Sequence, residues 1–156
     1  MMAEKPYLLD TSVLLPLLRG KELGRYVDTT YQLRKNLNRH LICVVTHGEI
    51  WALAAMNGWG DTKRQALRVM LENLVTIDIN DDQVIESYVA LIEAARRNPK
   101  GSQTNRGEND LWIGAAARAS GAILLTMDRH FDQFHPVLLE RIYVDEGSRL
   151  VKDMPN

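Results

Sequence analysis

The sequence has little of what several classes of protein require. It contains one cysteine, Cys43, which cannot form an internal disulfide and which is predicted to be a buried strand residue because residues 41–45 are apolar. No stretch approaches the roughly 20 apolar residues of a membrane span, and residues 1–5 lack the apolar region of a signal peptide. These absences favour a protein of the reducing cytoplasm without a membrane anchor.

An excess of charge of one sign is also lacking. The chain has 19 Lys and Arg residues against 20 Asp and Glu residues, for a formal net charge of −1. No overall basic field therefore indicates nucleic-acid binding, and any contact with RNA must come from local patches.

Several motifs that carry known chemistry do not occur. The four histidines form no HExxH motif and no Cys/His set, which argues against a zinc site. No GxGxxG follows a predicted strand and no GxxxxGK[ST] is found, which argues against dinucleotide-dependent enzymes and P-loop ATPases.

What the sequence does contain is a regular alternation of short apolar segments with amphipathic ones. No junction carries a two-residue hairpin signal, so the pattern predicts an α/β fold, with a parallel sheet of four to five strands and helices on both faces. The length of 156 residues fits one domain, which we assign to residues 1–147 with a polar tail at 148–156. The predicted strands cover residues 7–9, 41–45, 75–79, 123–126 and, as a fifth, 142–144. The predicted helices cover residues 12–18, 22–38, 46–56, 61–74, 81–98 and 109–120.

Acidic residues fall at the ends of these predicted strands. Asp10 ends the first strand, Glu49 lies one helical turn beyond the second, and Asp128 follows the fourth. In an open parallel sheet, ligands bind outside the carboxyl ends of the strands. Asp110 begins a helix instead, so it joins the group only if the preceding helix returns the chain to the same side.

Each acid also has a purely structural interpretation. Thr46-x-x-Glu49 fits a capping box, and Asp10, Asp110 and Asp128 each lie where an acid can cap a helix or interact with its dipole. Together, however, several carboxylates at one edge repel each other, by ~4 kcal/mol for a pair at ~4 Å and an effective dielectric of 20. A bound Mg²⁺ or Mn²⁺, which carboxylate oxygens suit, would relieve this repulsion.

Four short motifs occur along the chain in a set order: Asp10-Thr11-Ser12 after an apolar strand, Thr46-x-x-Glu49, Asn109-Asp110-Leu-Trp-Ile-Gly-Ala-Ala and Thr126-Met-Asp128-Arg-His-Phe131. Their combination resembles the PIN domain, and most of all the toxin nucleases of the VapC type from type II toxin–antitoxin systems. The resemblance covers nearly the whole chain. It implies a compact fold around a parallel sheet and Mg²⁺- or Mn²⁺-dependent endoribonuclease activity.

The resemblance also implies roles for particular residues and partners. The catalytic acids would be Asp10, Glu49, Asp110 and Asp128. The three aspartates would bind the metal, and Glu49 would contact either the metal or a water molecule bound to it. A homodimer is expected, neutralised by a small DNA-binding antitoxin whose tail covers the acidic groove. Polar support would come from Thr11, Ser12 and Thr126, and Asp132 and Glu108 are weaker candidates for the site.

RNA must be held by cations, since its backbone is anionic. Four basic residues lead into the Asp110 motif and are candidates for RNA binding, although a solvated helix end would have the same composition. By contrast, His47 and His130 are expected to be rim or surface residues. The four candidates for RNA binding are Arg96, Arg97, Lys100 and Arg106.

Two other functions fit parts of the pattern. A phosphatase similar to the haloacid dehalogenases would use Asp128 and Asp132 as its late acidic pair, but it requires a second Asp where this chain has Ser12. A non-catalytic α/β interaction module would need the acids only as helix caps and surface groups. Mn²⁺ binding near neutral pH separates the last interpretation from the nuclease.

Overall fold

Five short parallel strands form one sheet in the computed structural model, which describes residues 4–98 and 107–145. The strand order is β3-β2-β1-β4-β5, and each neighbouring pair is parallel. The predicted parallel α/β architecture, including its fifth strand, is therefore confirmed. The strands are β1 (Tyr7–Leu9), β2 (Leu41–Cys43), β3 (Val75–Ile77), β4 (Ile123–Thr126) and β5 (Arg141–Tyr143).

Helices cover both faces of the sheet, as the continuous apolar strands require. Leu8 and Leu124 pack into a core beneath one layer, whereas the next residues along each strand, Leu9 and Leu125, pack into a second core on the opposite face. The helices are α1 (Thr11–Arg19), α2 (Glu22–Tyr31), α3 (Val44–Met56), α4 (Asp61–Asn73), α5 (Asp82–Arg97) and α6 (Glu108–Ser120).

The pair α5 and α6 determines where Asp110 lies. These two helices pack along each other, and Val84 near the start of α5 lines the same cavity as Ala119 near the end of α6. They are therefore antiparallel, and α6 begins at the carboxyl edge of the sheet. The chain thus comes back to the edge of the sheet where β1 and β4 end, which is the condition stated above for Asp110 to join the other acids.

Helices α1 and α2 approach each other closely at Gly24. A Cβ atom at this position would overlap the main-chain carbonyl oxygen of Pro16 in α1. Only glycine, which has no side chain, permits this contact between backbones. Gly24 thus holds α2 against the helix that Asp10 caps.

Several predicted boundaries are wrong. The predicted helix over residues 22–38 ends at Tyr31, because Gln32 takes a left-handed conformation with φ 53° and a 3₁₀ helix, Arg34–Arg39, follows. The second and third strands end earlier than predicted, at Cys43 and Ile77.

The early end of β2 removes the predicted capping box. Helix α3 begins at Val44, and its N-cap residue is Cys43, which makes no side-chain capping hydrogen bond. Thr46 lies inside the helix, and Glu49 has a different partner, described below. The capping interpretation of Thr46-x-x-Glu49 is therefore wrong.

The predicted polar tail, residues 148–156, lies outside the described residues, so the domain boundary at 147 stays a prediction. Within residues 4–98 and 107–145, no helix combines the length and the apolar content needed to span a membrane.

Candidate metal centre

Asp10 lies at the base of the site and is held firmly. It follows β1, caps α1 and is only 4 % exposed. Its Oδ1 accepts the Thr11 N–H at 2.8 Å, and its Oδ2 accepts the hydroxyls of Ser12 at 2.7 Å and Thr126 at 2.8 Å. Each carboxylate oxygen has two lone pairs, so these contacts leave one acceptor position, on Oδ1, among the described residues.

Burial raises the pKa of Asp10, and the hydrogen bonds from Ser12 and Thr126 oppose this effect. The same two hydroxyls also accept hydrogen bonds from the chain beyond β4. Ser12 Oγ accepts the Met127 N–H at 2.9 Å, and Thr126 Oγ1 accepts the Asp128 N–H at 2.9 Å. The predicted polar supports therefore link the end of β1 to the end of β4.

Asp110 and Asp128 meet around the imidazole of His130. Its Nδ1 lies 3.0 Å from Asp128 Oδ1 and 3.4 Å from Asp110 Oδ2. The potential ligand atoms of the three residues all lie within 4.8 Å of one another. Burial, followed by the charges of Asp128 and Asp10, raises the pKa of Asp110 to about 6, against the opposing effect of His130. The three predicted metal acids thus interact electrostatically at one edge of the sheet.

His130 is exposed at the rim, as the sequence predicts, with its side chain 44 % accessible; what the sequence did not predict is the contact of its imidazole with two of the acids. The turn that begins at Asp128 explains why the imidazole lies here. Asp128 caps the 3₁₀ helix Arg129–Phe134, and its Oδ1 accepts the His130 N–H at 2.8 Å. This turn holds the histidine beside the capping carboxylate, and Phe131, which is fully buried, anchors it.

Glu49 is joined to the site through Thr11. The Thr11 hydroxyl donates to Glu49 Oε1 at 2.8 Å, while the Thr11 N–H is bound to Asp10. Glu49 also lines a cavity of about 500 Å³ together with Asn109, which precedes Asp110 on α6. Glu49 therefore borders the group formed by the three aspartates.

The two weaker candidates have other surroundings. Asp132 pairs with Arg141 of β5 at 2.9 Å and with Arg129 at 3.5 Å, so its carboxylate joins the 3₁₀ helix to the sheet. Glu108 is the exposed first residue of α6.

The predicted RNA-binding residues are only partly described. Arg96 and Arg97 are exposed in the last turn of α5, which ends at the edge of the sheet where Asp110 lies. Lys100 and Arg106 lie outside the described residues.

The donor set fits a divalent cation. Carboxylate oxygens from Asp10, Asp110 and Asp128 are suitable ligands for Mg²⁺ or Mn²⁺. Within residues 4–98 and 107–145, no Lys or Arg side chain forms an ion pair with any of the three. Among the described Lys and Arg residues, therefore, none neutralises the negative charge of the three aspartates by direct pairing.

Comparison with known proteins gives one family and several solved structures. The family model described as PIN domain matches residues 7–135. The fold is similar to VapBC2 from Rickettsia felis bound to a DNA fragment from its promoter, with a TM-score of 0.70, 22 % identity, and coverage of 89 % of this chain and 98 % of that one.

Two further structures are similar. A toxin-antitoxin complex from Klebsiella pneumoniae has a TM-score of 0.60 and 21 % identity over 84 % of this chain and 92 % of that one. DNA-bound VapBC from Salmonella typhimurium has a TM-score of 0.60 and 18 % identity over 90 % and 98 %. At these identities, the structures establish a shared fold. None of the curated proteins matches the chain.

Proposed function

The chain belongs to the PIN domain family, and from this premise we propose that it is a Mg²⁺- or Mn²⁺-dependent endoribonuclease that hydrolyses phosphodiester bonds in RNA. The observation that carries the proposal is the convergence of Asp10, Asp110 and Asp128. Burial, together with the charges of Asp128 and Asp10, raises the pKa of Asp110 to about 6. A group of acids without strong bases beside it is costly unless a cation binds there.

The residues of the site would have distinct roles. Asp10, Asp110 and Asp128 would hold the cation, with Ser12 and Thr126 fixing the orientation of the Asp10 carboxylate. When bound, the cation would lower the pKa of a water molecule and offset the negative charge of the phosphate.

Glu49 is suited to a different task from the three aspartates. Held through Oε1 by the Thr11 hydroxyl, it would orient the attacking water and accept its proton. Because Glu49 and Asn109 line one cavity of about 500 Å³, this cavity is the space in which we propose that the RNA strand lies.

Basic residues near the cavity would bind the RNA backbone. Arg96 and Arg97 at the end of α5 support this part of the proposal, because they are exposed close to the start of α6. Lys100 and Arg106 remain candidates by their position in the sequence.

We propose further that the protein is the toxin of a toxin–antitoxin pair and acts in the cytoplasm. The similar structures are toxin–antitoxin complexes, two of them bound to DNA, which supports a small DNA-binding antitoxin as partner. Homodimerisation is also proposed. The exposed apolar side chains of Ile85 and Val89, one helical turn apart on α5, support it.

The direct test is cleavage of a fluorescent single-stranded RNA by purified protein with Mn²⁺ or Mg²⁺. Asp10→Asn and Asp110→Asn should each lower the rate by about 100-fold or more, and EDTA should abolish it. Glu72→Gln, an equivalent change on the exposed surface of α4, is the matched control and should retain the wild-type rate. Full cleavage by either aspartate variant, with folding checked by circular dichroism, would refute the proposed site.

The other two functions have less support. The family match does not favour a phosphatase similar to the haloacid dehalogenases, and Asp132 is paired with Arg141 rather than placed beside Asp128 in the site. A non-catalytic module remains the outcome if calorimetry near neutral pH finds no binding of Mn²⁺.

A further inference from the structure

The position of His130 indicates which cation the site prefers. We infer that Nδ1 of His130 is a ligand of the proposed cation, and that this nitrogen makes the site select Mn²⁺ over Mg²⁺. The inference rests on the proposed function, since it concerns the same site, but it adds a ligand outside the four acids and a preference between the two ions.

The distances fit ligands of a single ion. Oxygen and nitrogen ligands about 2.1–2.2 Å from a six-coordinate cation lie about 3.0 Å apart when they occupy adjacent positions. In the structure, His130 Nδ1 lies 3.0 Å from Asp128 Oδ1 and 3.4 Å from Asp110 Oδ2. The imidazole nitrogen therefore lies close enough to both carboxylates to share an ion with them.

The same nitrogen faces both carboxylates, and the backbone keeps it there. The His130 N–H is bound to Asp128 Oδ1 at 2.8 Å, within a 3₁₀ helix anchored by the buried Phe131. The turn therefore fixes the backbone of His130 beside Asp128, and the side chain, which is 44 % exposed, reaches both carboxylates from there. A neutral imidazole can carry its one hydrogen on Nε2 and present the Nδ1 lone pair to a cation.

The chemistry of this donor decides the preference. Carboxylates alone serve Mg²⁺ and Mn²⁺ alike. Imidazole nitrogen binds first-row transition-metal ions, and Mn²⁺ belongs to that series, at its weak end, whereas Mg²⁺ does not. Mg²⁺ is bound in proteins by oxygen ligands and retains several waters. Adding one nitrogen to Asp10, Asp110 and Asp128 should thus strengthen the binding of Mn²⁺ more than the binding of Mg²⁺.

The alternative is that His130 only donates a hydrogen bond to the two carboxylates and turns away when a cation binds. Pulsed electron paramagnetic resonance of the Mn²⁺-loaded protein separates the two, because a directly bound imidazole nitrogen couples to the Mn²⁺ electron spins. We expect this coupling in the wild type and its loss in His130→Gln. His47→Gln is the matched control. His47 lies on α3 with its Nε2 against Thr76, and the variant should retain the coupling.

Calorimetry gives the second readout. His130→Gln should lower the affinity for Mn²⁺ by about tenfold or more and leave the affinity for Mg²⁺ within a few-fold of the wild type, so that the selectivity disappears. A wild type without nitrogen coupling, a coupling that persists in His130→Gln, or an unchanged ratio of the two affinities would each overturn the inference.

The two proposals fail in different ways. If Asp110→Asn loses Mn²⁺ binding while His130→Gln keeps both the affinity ratio and the spectrum of the wild type, only the role of His130 is refuted. If the wild type binds neither Mn²⁺ nor Mg²⁺, the metal site itself is refuted, and the inference is overturned with it.

Discussion

Replacing Asp110 with asparagine should stabilise the metal-free protein near neutral pH. Burial and the charges of Asp128 and Asp10 raise the pKa of Asp110 from 3.8 to about 6, and its side chain is 22 % exposed. The folded protein therefore holds the proton of this carboxyl group more tightly than the unfolded chain does. Below pH ~3 the group is protonated in both states, and folding carries no penalty. The penalty grows as the pH rises through 3.8 and levels off above about 6.

The size of the effect follows from the two pKa values. At 1.36 kcal/mol per pH unit, the ionised carboxylate lowers the free energy of unfolding by about 3 kcal/mol at pH 7.5. The penalty is only about 1 kcal/mol at pH 4.5. Asparagine resembles the protonated acid, so Asp110→Asn should raise the melting temperature by about 6–12 °C at pH 7.5, and by much less at pH 4.5.

Urea unfolding in EDTA at the two pH values measures this difference, and Glu72→Gln on the exposed surface of α4 serves as the control. Mn²⁺ at about 100 times its dissociation constant should then stabilise the wild type by about 2.7 kcal/mol, and Asp110→Asn should respond far less. The reasoning is refuted if the variant is no more stable than the wild type at pH 7.5, or if its advantage is the same at pH 4.5.

Three further substitutions test contacts of the site and of the helices. Thr11→Val removes the hydroxyl that holds Glu49 but keeps the backbone N–H that donates to Asp10. RNA cleavage should therefore fall about tenfold, with the affinity for Mn²⁺ nearly unchanged. An undiminished rate would show that Glu49 does not depend on Thr11. Gly24→Ala should destabilise the protein by about 2–3 kcal/mol, because a Cβ atom there meets the backbone of α1. Gly48→Ala is the comparison: its Cβ atom would meet nothing within 4 Å, so this variant should stabilise α3 by up to about 1 kcal/mol. Equal midpoints in urea for the two glycine variants would contradict this account.

The acids of the site could largely be predicted because strand ends in a parallel sheet meet at one edge. Asp10 and Asp128 follow β1 and β4, which are paired directly, so their proximity follows from the topology alone. The position of Asp110 depends on the antiparallel packing of α5 and α6, which the sequence allows but does not require.

Local patterns failed where a distant partner decides the structure. Thr46-x-x-Glu49 matches a capping box, yet Glu49 accepts its hydrogen bond from Thr11, 38 positions earlier in the chain. The helical periodicity after residue 22 continues past the true end of α2 because nothing in the sequence marks Gln32 as left-handed. The exposed position of His130 was predicted, but its contact with Asp110 and Asp128 was not, because a single histidine carries no pattern until the turn around it is known.

The hydrogen bond that joins Asp10 to Thr126 spans 116 positions of the chain, and this has a consequence for biosynthesis. In a nascent polypeptide, Asp128 is added 118 residues after Asp10. Until that later segment has left the ribosome, β1 has no β4 beside it and the acids cannot assemble. The order of translation therefore keeps the centre incomplete until β4 has emerged.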